Sequence, residues 1–304
     1  MARILLLFVD GIGMAPAGPD NPLSTVEMPV MRRLLGGPLT TEQILLRDGL
    51  LLLSITASLG VPGLPQSGTG QTALFTGENG AVLLGHHVPA FPGPTLRRLI
   101  AEHSVFKRVV EAGRRAAFAN PLPEDYVAAV EKGERRGSVT TWAAIAGGAS
   151  VRRGLDDLRR GEAVAWDIVR DHFAERIGAP LPPVSPEEAG RHLAAVAARN
   201  DFTAWETFLT DLAAHGRWGL RVDDALARLD GLLGGLLEAA PADLTILLTS
   251  DHGNLEDATR RTHTANPVPL LAAGPLAARF ADLASILDLT PRILELLGVG
   301  RTAK

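Results

Sequence analysis

The sequence predicts an α/β protein, a doubly wound and mostly parallel sheet with a small, mostly helical cap inserted in it. Three features carry that expectation. The run Ile4 to Val9 is continuously apolar, as in a strand buried on both faces of a parallel sheet. Strand-like and helix-like segments alternate, with glycine between them. Acidic residues stand directly behind two of the strand-like runs, where open α/β sheets bind their ligands.

In chain order, the first strand ends in Asp10-Gly11-Ile12-Gly13, and a second strand is expected over Leu50 to Ile55. The Gly- and Pro-rich stretch Gly60 to Gly70 follows, and Gln71 to Thr76 begins a helix. Leu96 to Ala112 has helical periodicity with Gly113 at its C′ position, and Ala116 to Ala119 reads as a strand. Residues 1–120 are therefore expected to form the first part of the core. Between 121 and 199 the composition shifts to Arg/Glu clusters and the Pro-rich stretch Pro180 to Pro186, with weak strand signal, which marks the cap insert. Residues 200–304 resume the core with a helix holding Asp211 and His215, a helix from Val222 to Glu238, the strand Leu244 to Leu248, the apolar run Val268 to Ala272, and a last helix around Ile286 to Leu297.

The chain has 304 residues, a net charge of -4 and no cysteine. Mild acidity gives no basic footprint for nucleic acid. Absence of cysteine excludes disulfides, thiolate zinc sites, iron–sulfur clusters and a cysteine nucleophile, so any metal must be held by oxygen and imidazole. No stretch approaches the ~20 apolar residues of a membrane span. The first apolar run is cut by Asp10 short of a secretory signal, so a cytoplasmic location is expected.

Seven residues stand out as chemistry-bearing. Asp10 and the pair Asp251-His252 each follow a buried-type strand, which would bring them to one edge of the sheet. Asp211 and His215, spaced i, i+4, share one face of a helix. His263 lies in the loop Arg261 to Pro267, and Ser67 sits where the Gly-rich loop enters a helix, a place that favours phosphate. Taken singly, each has an ordinary reading: a turn or cap for Asp10, turn chemistry for Asp251 to Asn254, an exposed helix pair, a loop histidine, and an N-cap for Ser67.

Together, in this order and spacing, Asp10, Ser67, Asp211-x-x-x-His215, Asp251-His252 and His263 resemble the two-metal site of the alkaline phosphatase superfamily, most closely the branch of cofactor-independent phosphoglycerate mutase and phosphopentomutase. Gly70 and Gly77 stand to Ser67 as glycines stand to the nucleophile in that branch, and Thr249 to Asn254 and Thr262 to Pro269 are similar to the mutase nearly residue for residue. The resemblance implies one divalent metal on Asp211, His215 and His263 and a second on Asp10, Ser67, Asp251 and His252. It also implies Ser67 as the nucleophile, with Thr69 as its rival. Two dications against three aspartates and a serine alkoxide leave the site about neutral and able to accept a phosphate. Mixed imidazole and carboxylate ligands favour Mn or Zn over Mg.

The implied activity is phosphoryl transfer on a small phosphorylated metabolite through a phosphoserine, as phosphatase or mutase. The insert lacks the mutase motifs Gly-Gly-Val-His-Ser-His and Arg-Ala-Asp-Arg, so activity on phosphoglycerate is not implied. Lys132 is the candidate for the mutase active-site lysine. Arg135, Arg136, Arg152, Arg153, Arg159 and Arg160 are candidates for an anion clamp, and His86 and His87 for substrate contact. Alternatives are a phosphodiesterase or sulfatase of the same superfamily, although Ser67 lacks the sulfatase motif, or a metal-stabilised binding protein without catalysis. Oligomeric state is not legible.

Overall fold

The computed structural model describes residues 2–152 and 154–300; Arg153, one of the clamp candidates, lies outside them, as does the side chain of Arg152. Eight strands form one sheet: β1 (Arg3–Val9), β2 (Leu45–Arg47), β3 (Leu50–Ile55), β4 (Ala116–Pro121), β5 (Ser150–Arg152), β6 (Phe202–Thr207), β7 (Leu244–Thr249) and β8 (Val268–Ala273). Their spatial order is β2-β3-β8-β7-β1-β6-β4-β5. The run from β7 to β5 is parallel throughout, while β8 pairs antiparallel with both β7 and β3, and β2 closes the other edge antiparallel to β3.

β1 lies at the centre, which is why its sequence is apolar without alternation. Ile4, Leu6 and Phe8 enter one core, with Phe75, Phe106, Phe118 and Phe202, and Leu5, Leu7 and Val9 enter the other, with Trp205 and Leu248. The first core is covered by helices Ser67–Thr76, Val105–Glu111 and Leu289–Leu296, the second by helices Pro186–Ala197 and Val222–Ala239. Those last two helices cross with their backbones nearly touching. A Cβ on Gly235 would stand 1.9 Å from the Glu187 carbonyl oxygen, and one on Gly190 would stand 2.1 Å from that of Leu232.

Several expectations are corrected in detail. The helical stretch Leu96 to Ala112 is two helices, Pro94–His103 and Val105–Glu111, because the Ser104 hydroxyl accepts the Lys107 N–H and starts the second. The nucleophile helix begins at Ser67 rather than Gln71, with Gln66 at its N-cap position, so Ser67 is not itself the cap. β6 was not anticipated, since Phe202-Thr-Ala-Trp-Glu-Thr207 mixes polar and apolar residues, yet all six are buried. Within 121–199, helices Glu124–Glu131, Val139–Ala146, Leu155–Arg159 and Asp171–Ile177 accompany β5, which extends the sheet beside β4. Among the described residues no helix is long and apolar enough to cross a membrane.

The close crossing gives a direct test. Gly235→Ala pushes a methyl into a carbonyl and should cost about 1–3 kcal/mol of stability in urea unfolding of the metal-loaded protein. An unchanged midpoint would mean that the two helices do not meet as closely as described.

Candidate metal centre

The parallel register of β1 and β7 pairs Phe8 with Thr249, so two residues further on Asp10 and Asp251 leave the sheet side by side. Helix Leu209–Ala214, entered from the end of β6, carries Asp211 in its first turn and ends with His215 at its C-cap. Helix Ser67–Thr76 brings Ser67 from the opposite layer. Gly70 makes this approach feasible, because a Cβ there would stand 2.7 Å from the Asp251 carbonyl oxygen. His263 comes from the loop before β8.

Two overlapping groups of ligand-type side chains result, Asp10 with Asp251 and His252, and Asp211 with His252 and His263. His252 Nε2 lies 3.0 Å from Ser67 Oγ, 3.2 Å from Asp10 Oδ1 and 3.7 Å from Asp251 Oδ2. Asp211 Oδ1 lies 3.3 Å from His215 Nε2 and 3.8 Å from His263 Nε2. The rings of His252 and His263 stack at 3.7 Å, so His252 borders both groups. Ligands on one tetrahedral ion with bonds of about 2.0–2.1 Å lie about 3.3 Å apart, and these separations bracket that value.

Proton accounting also suits a cation. His215 Nδ1 lies 2.8 Å from the Arg261 carbonyl oxygen and His263 Nδ1 lies 2.8 Å from that of Pro65. A carbonyl oxygen only accepts, so each Nδ1 carries a proton, and each Nε2, on the Asp211 side of its ring, is the nitrogen left to bind a cation in place of a proton. Asp10 Oδ1 is buried and makes no hydrogen bond. The residues present therefore fit divalent metal.

Without metal the carboxylates are strained electrostatically. Burial, then the charges of Asp251 and Asp211, raise the Asp10 carboxyl well above its ordinary range. Burial and Asp211 push Asp251 up to about 7. Burial would raise Asp211 too, but hydrogen bonds from His215 and Asn254 and the His252 charge hold it at about 2. Burial and the neighbouring His252 lower His263 to about 4.

Sequence reasoning missed the residue that holds these loops together. Buried Glu256 accepts through Oε2 from the N–H groups of Gly13 and Asn254, both 2.9 Å, and through Oε1 from Asn266 Nδ2 at 3.0 Å and from the Thr264 hydroxyl. Asn254 Nδ2 in turn donates to Asp211 Oδ1 at 2.7 Å, and Gln71 Nε2 to Asp251 Oδ2 at 3.2 Å. The only sequence signal for Glu256 is its place in the loop that follows Asp251-His252. The Thr69 hydroxyl is fully buried and lies on Gln66 O, the Val88 N–H and His87 Nδ1, whereas Ser67 Oγ faces His252.

A cavity of about 670 Å³ opens from Asp10, Ser67 and Asp211, and a second of about 430 Å³ lies on the His215 and His263 side. Arg135 and Arg136 line the larger one. Lys132 is exposed at a helix end outside the lining, and Arg159 and Arg160 pair with Asp156, Asp157 and Glu162 at the surface. His86 is exposed, while His87 sits against Thr69.

Residues 182–301 match the family model described as the Metalloenzyme superfamily. Over all or nearly all of both chains the fold superposes on the alkaline phosphatase of the Antarctic bacterium TAB5 at a TM-score of 0.57 and 14% identity, covering 99% of this chain and 100% of that one. It also superposes on the PH0037 protein of Pyrococcus horikoshii at 0.56 and 13%, covering 100% and 99%. Residues 182–301 are thus similar to the Metalloenzyme superfamily, and the whole described chain shares the fold of an alkaline phosphatase. The curated proteins it matches are 2,3-bisphosphoglycerate-independent phosphoglycerate mutases. That of Desulforudis audaxviator is 31% identical over 175 residues, 49% of this chain and 34% of the relative; that of Vibrio atlanticus is 39% identical over 83 residues, 25% and 16%. These matches therefore span about a third or less of the relatives' length.

Glu256→Gln would set an amide N–H against at least one of four donors and should weaken metal affinity roughly 10- to 100-fold, measured by competition with a chelator. Affinity equal to that of the unaltered protein would remove Glu256 from this role.

The pH dependence of the metal-free protein has a definite sign. Asp251 and Glu206, both pushed up to about 7 by burial, bind more protons folded than unfolded between about pH 4 and about 7, and the raised Asp10 acts in the same direction. His215 and His252 are raised as well, the first by Asp211 and the second by Asp10 against its burial, and His263 alone of this group opposes them. Stability in EDTA should fall as pH rises through that window, and added Mn or Zn should abolish the fall. Thermal melts at about pH 5 and about pH 7.5, with and without chelator, check this. A metal-free melting temperature that climbs with pH would contradict it.

Proposed function

We propose that this protein transfers the phosphoryl group of a small phosphomonoester through a phosphoserine on Ser67. The observation that carries the proposal is the convergence of Asp10, Ser67, Asp211, His215, Asp251, His252 and His263 from separate segments onto one point, with Ser67 Oγ 3.0 Å from His252 Nε2. We assign Asp211, His215 and His263 to one divalent ion and Asp10, Ser67, Asp251 and His252 to another, with Mn or Zn favoured by the ligand chemistry. Bound there, the ions would lower the pKa of the serine hydroxyl and neutralise charge on the phosphoryl oxygens.

The chain's own groups supply position. Ser67, at the first residue of its helix, presents Oγ where the helix N–H groups face an incoming anion. Its oxygen bonds to phosphorus as the bond from phosphorus to the alcohol oxygen breaks, and the departing alkoxide takes up a proton. Water in a phosphatase cycle, or a second hydroxyl of the same substrate in a mutase cycle, then bonds to phosphorus and gives up its proton as the bond from phosphorus to Ser67 Oγ breaks and Oγ regains a proton. Thr69 is engaged by its neighbours, which supports Ser67 as the nucleophile. Residues 121–199 serve as a reduced cap over the core segments 1–120 and 200–304. A cytoplasmic location belongs to the same proposal, since phosphorylated metabolites made in the cytoplasm do not leave it unaided.

Metal-loaded protein should release phosphate from, or isomerise, members of a phosphomonoester panel, and Ser67→Ala should lose at least about a hundredfold in turnover while still binding metal. Trapped enzyme should carry a phosphate on Ser67 by mass spectrometry. Turnover confined to phosphodiesters or sulfate esters would shift the reading within the superfamily. Full metal loading with no ester turned over would leave a metal-stabilised binding protein.

A further inference from the structure

The larger cavity has walls that phosphoryl transfer alone does not explain. From Ser67 it runs between the end of β4 and the segment Trp166 to Ile177, and its sides carry Phe91, Tyr126, Trp166, Phe208 and Trp218. Trp166 stacks on Phe208 at 4.6 Å and meets Trp218 edge-on at 6.0 Å, while the Arg176 guanidinium lies 4.0 Å over the Trp218 ring. Trp218 is 48% exposed and has a φ of 56°, a left-handed conformation that a bulky residue adopts at a cost. Core packing does not require it there.

Glu206 is the second observation. It lines the same cavity, is only 6% exposed, and stands at the end of β6 with its backbone held by Asn120. One carboxyl oxygen, Oε2, accepts from the Thr140 hydroxyl, and no donor among the described residues reaches the other. A buried carboxyl with an unused acceptor, beside aromatic faces in the cavity that also reaches Ser67, suits a flat ring bearing an N–H or O–H.

We propose, building on the phosphoryl-transfer reading, that this cavity binds the alcohol part of the substrate as a neutral heteroaromatic ring, stacked against Trp166 and Trp218 and hydrogen-bonded by Glu206. The substrate class is then a phosphomonoester of a heteroaromatic alcohol such as a nucleoside, and not a short anionic sugar-acid phosphate. Aromatic stacking supplies affinity without demanding one ring, and the Glu206 oxygen selects rings that donate. A cavity of about 670 Å³ also exceeds what a three-carbon ester fills.

Ribose 5-phosphate and adenosine 5′-monophosphate share the same phosphoester bond and differ by the ring, so their kcat/KM ratio in the metal-loaded enzyme isolates this pocket. The ratio should favour adenosine 5′-monophosphate at least tenfold and fall at least tenfold in both Trp218→Ala and Glu206→Leu. Adenosine itself should quench tryptophan fluorescence saturably, with weaker binding in both variants. Trp218 is at the surface, so its replacement gives a folded variant if the Glu206 one fails. Ribose 5-phosphate turned over as well as the nucleotide, or no saturable quenching by adenosine, overturns the pocket assignment and leaves phosphoryl transfer intact. Adenosine binding with neither ester turned over supports the pocket and defeats the phosphoryl-transfer reading instead.

Discussion

The Glu256 carboxylate is the contact on which the geometry of the site depends. Its two oxygens collect donors from the loop after β1, the loop after β7 and the loop before β8, through Gly13, Asn254, Thr264 and Asn266. Each of those loops also carries ligand-type side chains: Asp10 on the first, Asp251 and His252 on the second, His263 on the third. A sheet positions strand ends to within a residue, but loops are free beyond that, and one buried acceptor shared by three of them removes that freedom. Asn254 then passes the constraint on to Asp211.

Around this hub the fold tolerates a local conflict. Asp10, Asp251 and Asp211 face one another in a buried space, and the first two respond by holding protons more tightly than exposed carboxylates would. The sheet and its two cores provide stability enough to keep three acids together, and divalent cations bound there would turn the repulsion into attraction. The same logic explains why both outer histidines anchor Nδ1 on backbone carbonyls rather than on carboxylates: the ring orientation is fixed without adding further negative charge.

What was legible in the sequence followed from local chemistry. β1 announced itself because a central parallel strand has no solvent face, and Asp251-His252 because two side chains of ligand type closely follow such a strand. Asp211 and His215 kept their helical spacing although the helix stops at Ala214. β6 escaped because Thr203, Glu206 and Thr207 are polar and buried, their environment set by β1 and β4 on either side rather than by the segment itself. Glu256 and Glu206 escaped for a related reason: neither has a neighbour in sequence that betrays its partners, which lie on other segments. The arginine-rich stretches of the insert attracted attention by composition, yet Arg159 and Arg160 are spent on surface pairs while aromatic residues scattered through the chain build the cavity.

The central place of β1 has a consequence for how the chain reaches this structure. It is made first, but its hydrogen-bonding partners are β6 and β7, which begin about 200 residues later. During synthesis the apolar run Ile4 to Val9 must wait, unpaired on both edges, until β6 at Phe202–Thr207 has been made, and on its other edge until β7 at Leu244–Thr249 follows. Six consecutive apolar residues in that state are an aggregation hazard. The strand that makes the sheet most cohesive once formed is therefore the segment most in need of shielding before it forms, and chaperone dependence during synthesis should map to it.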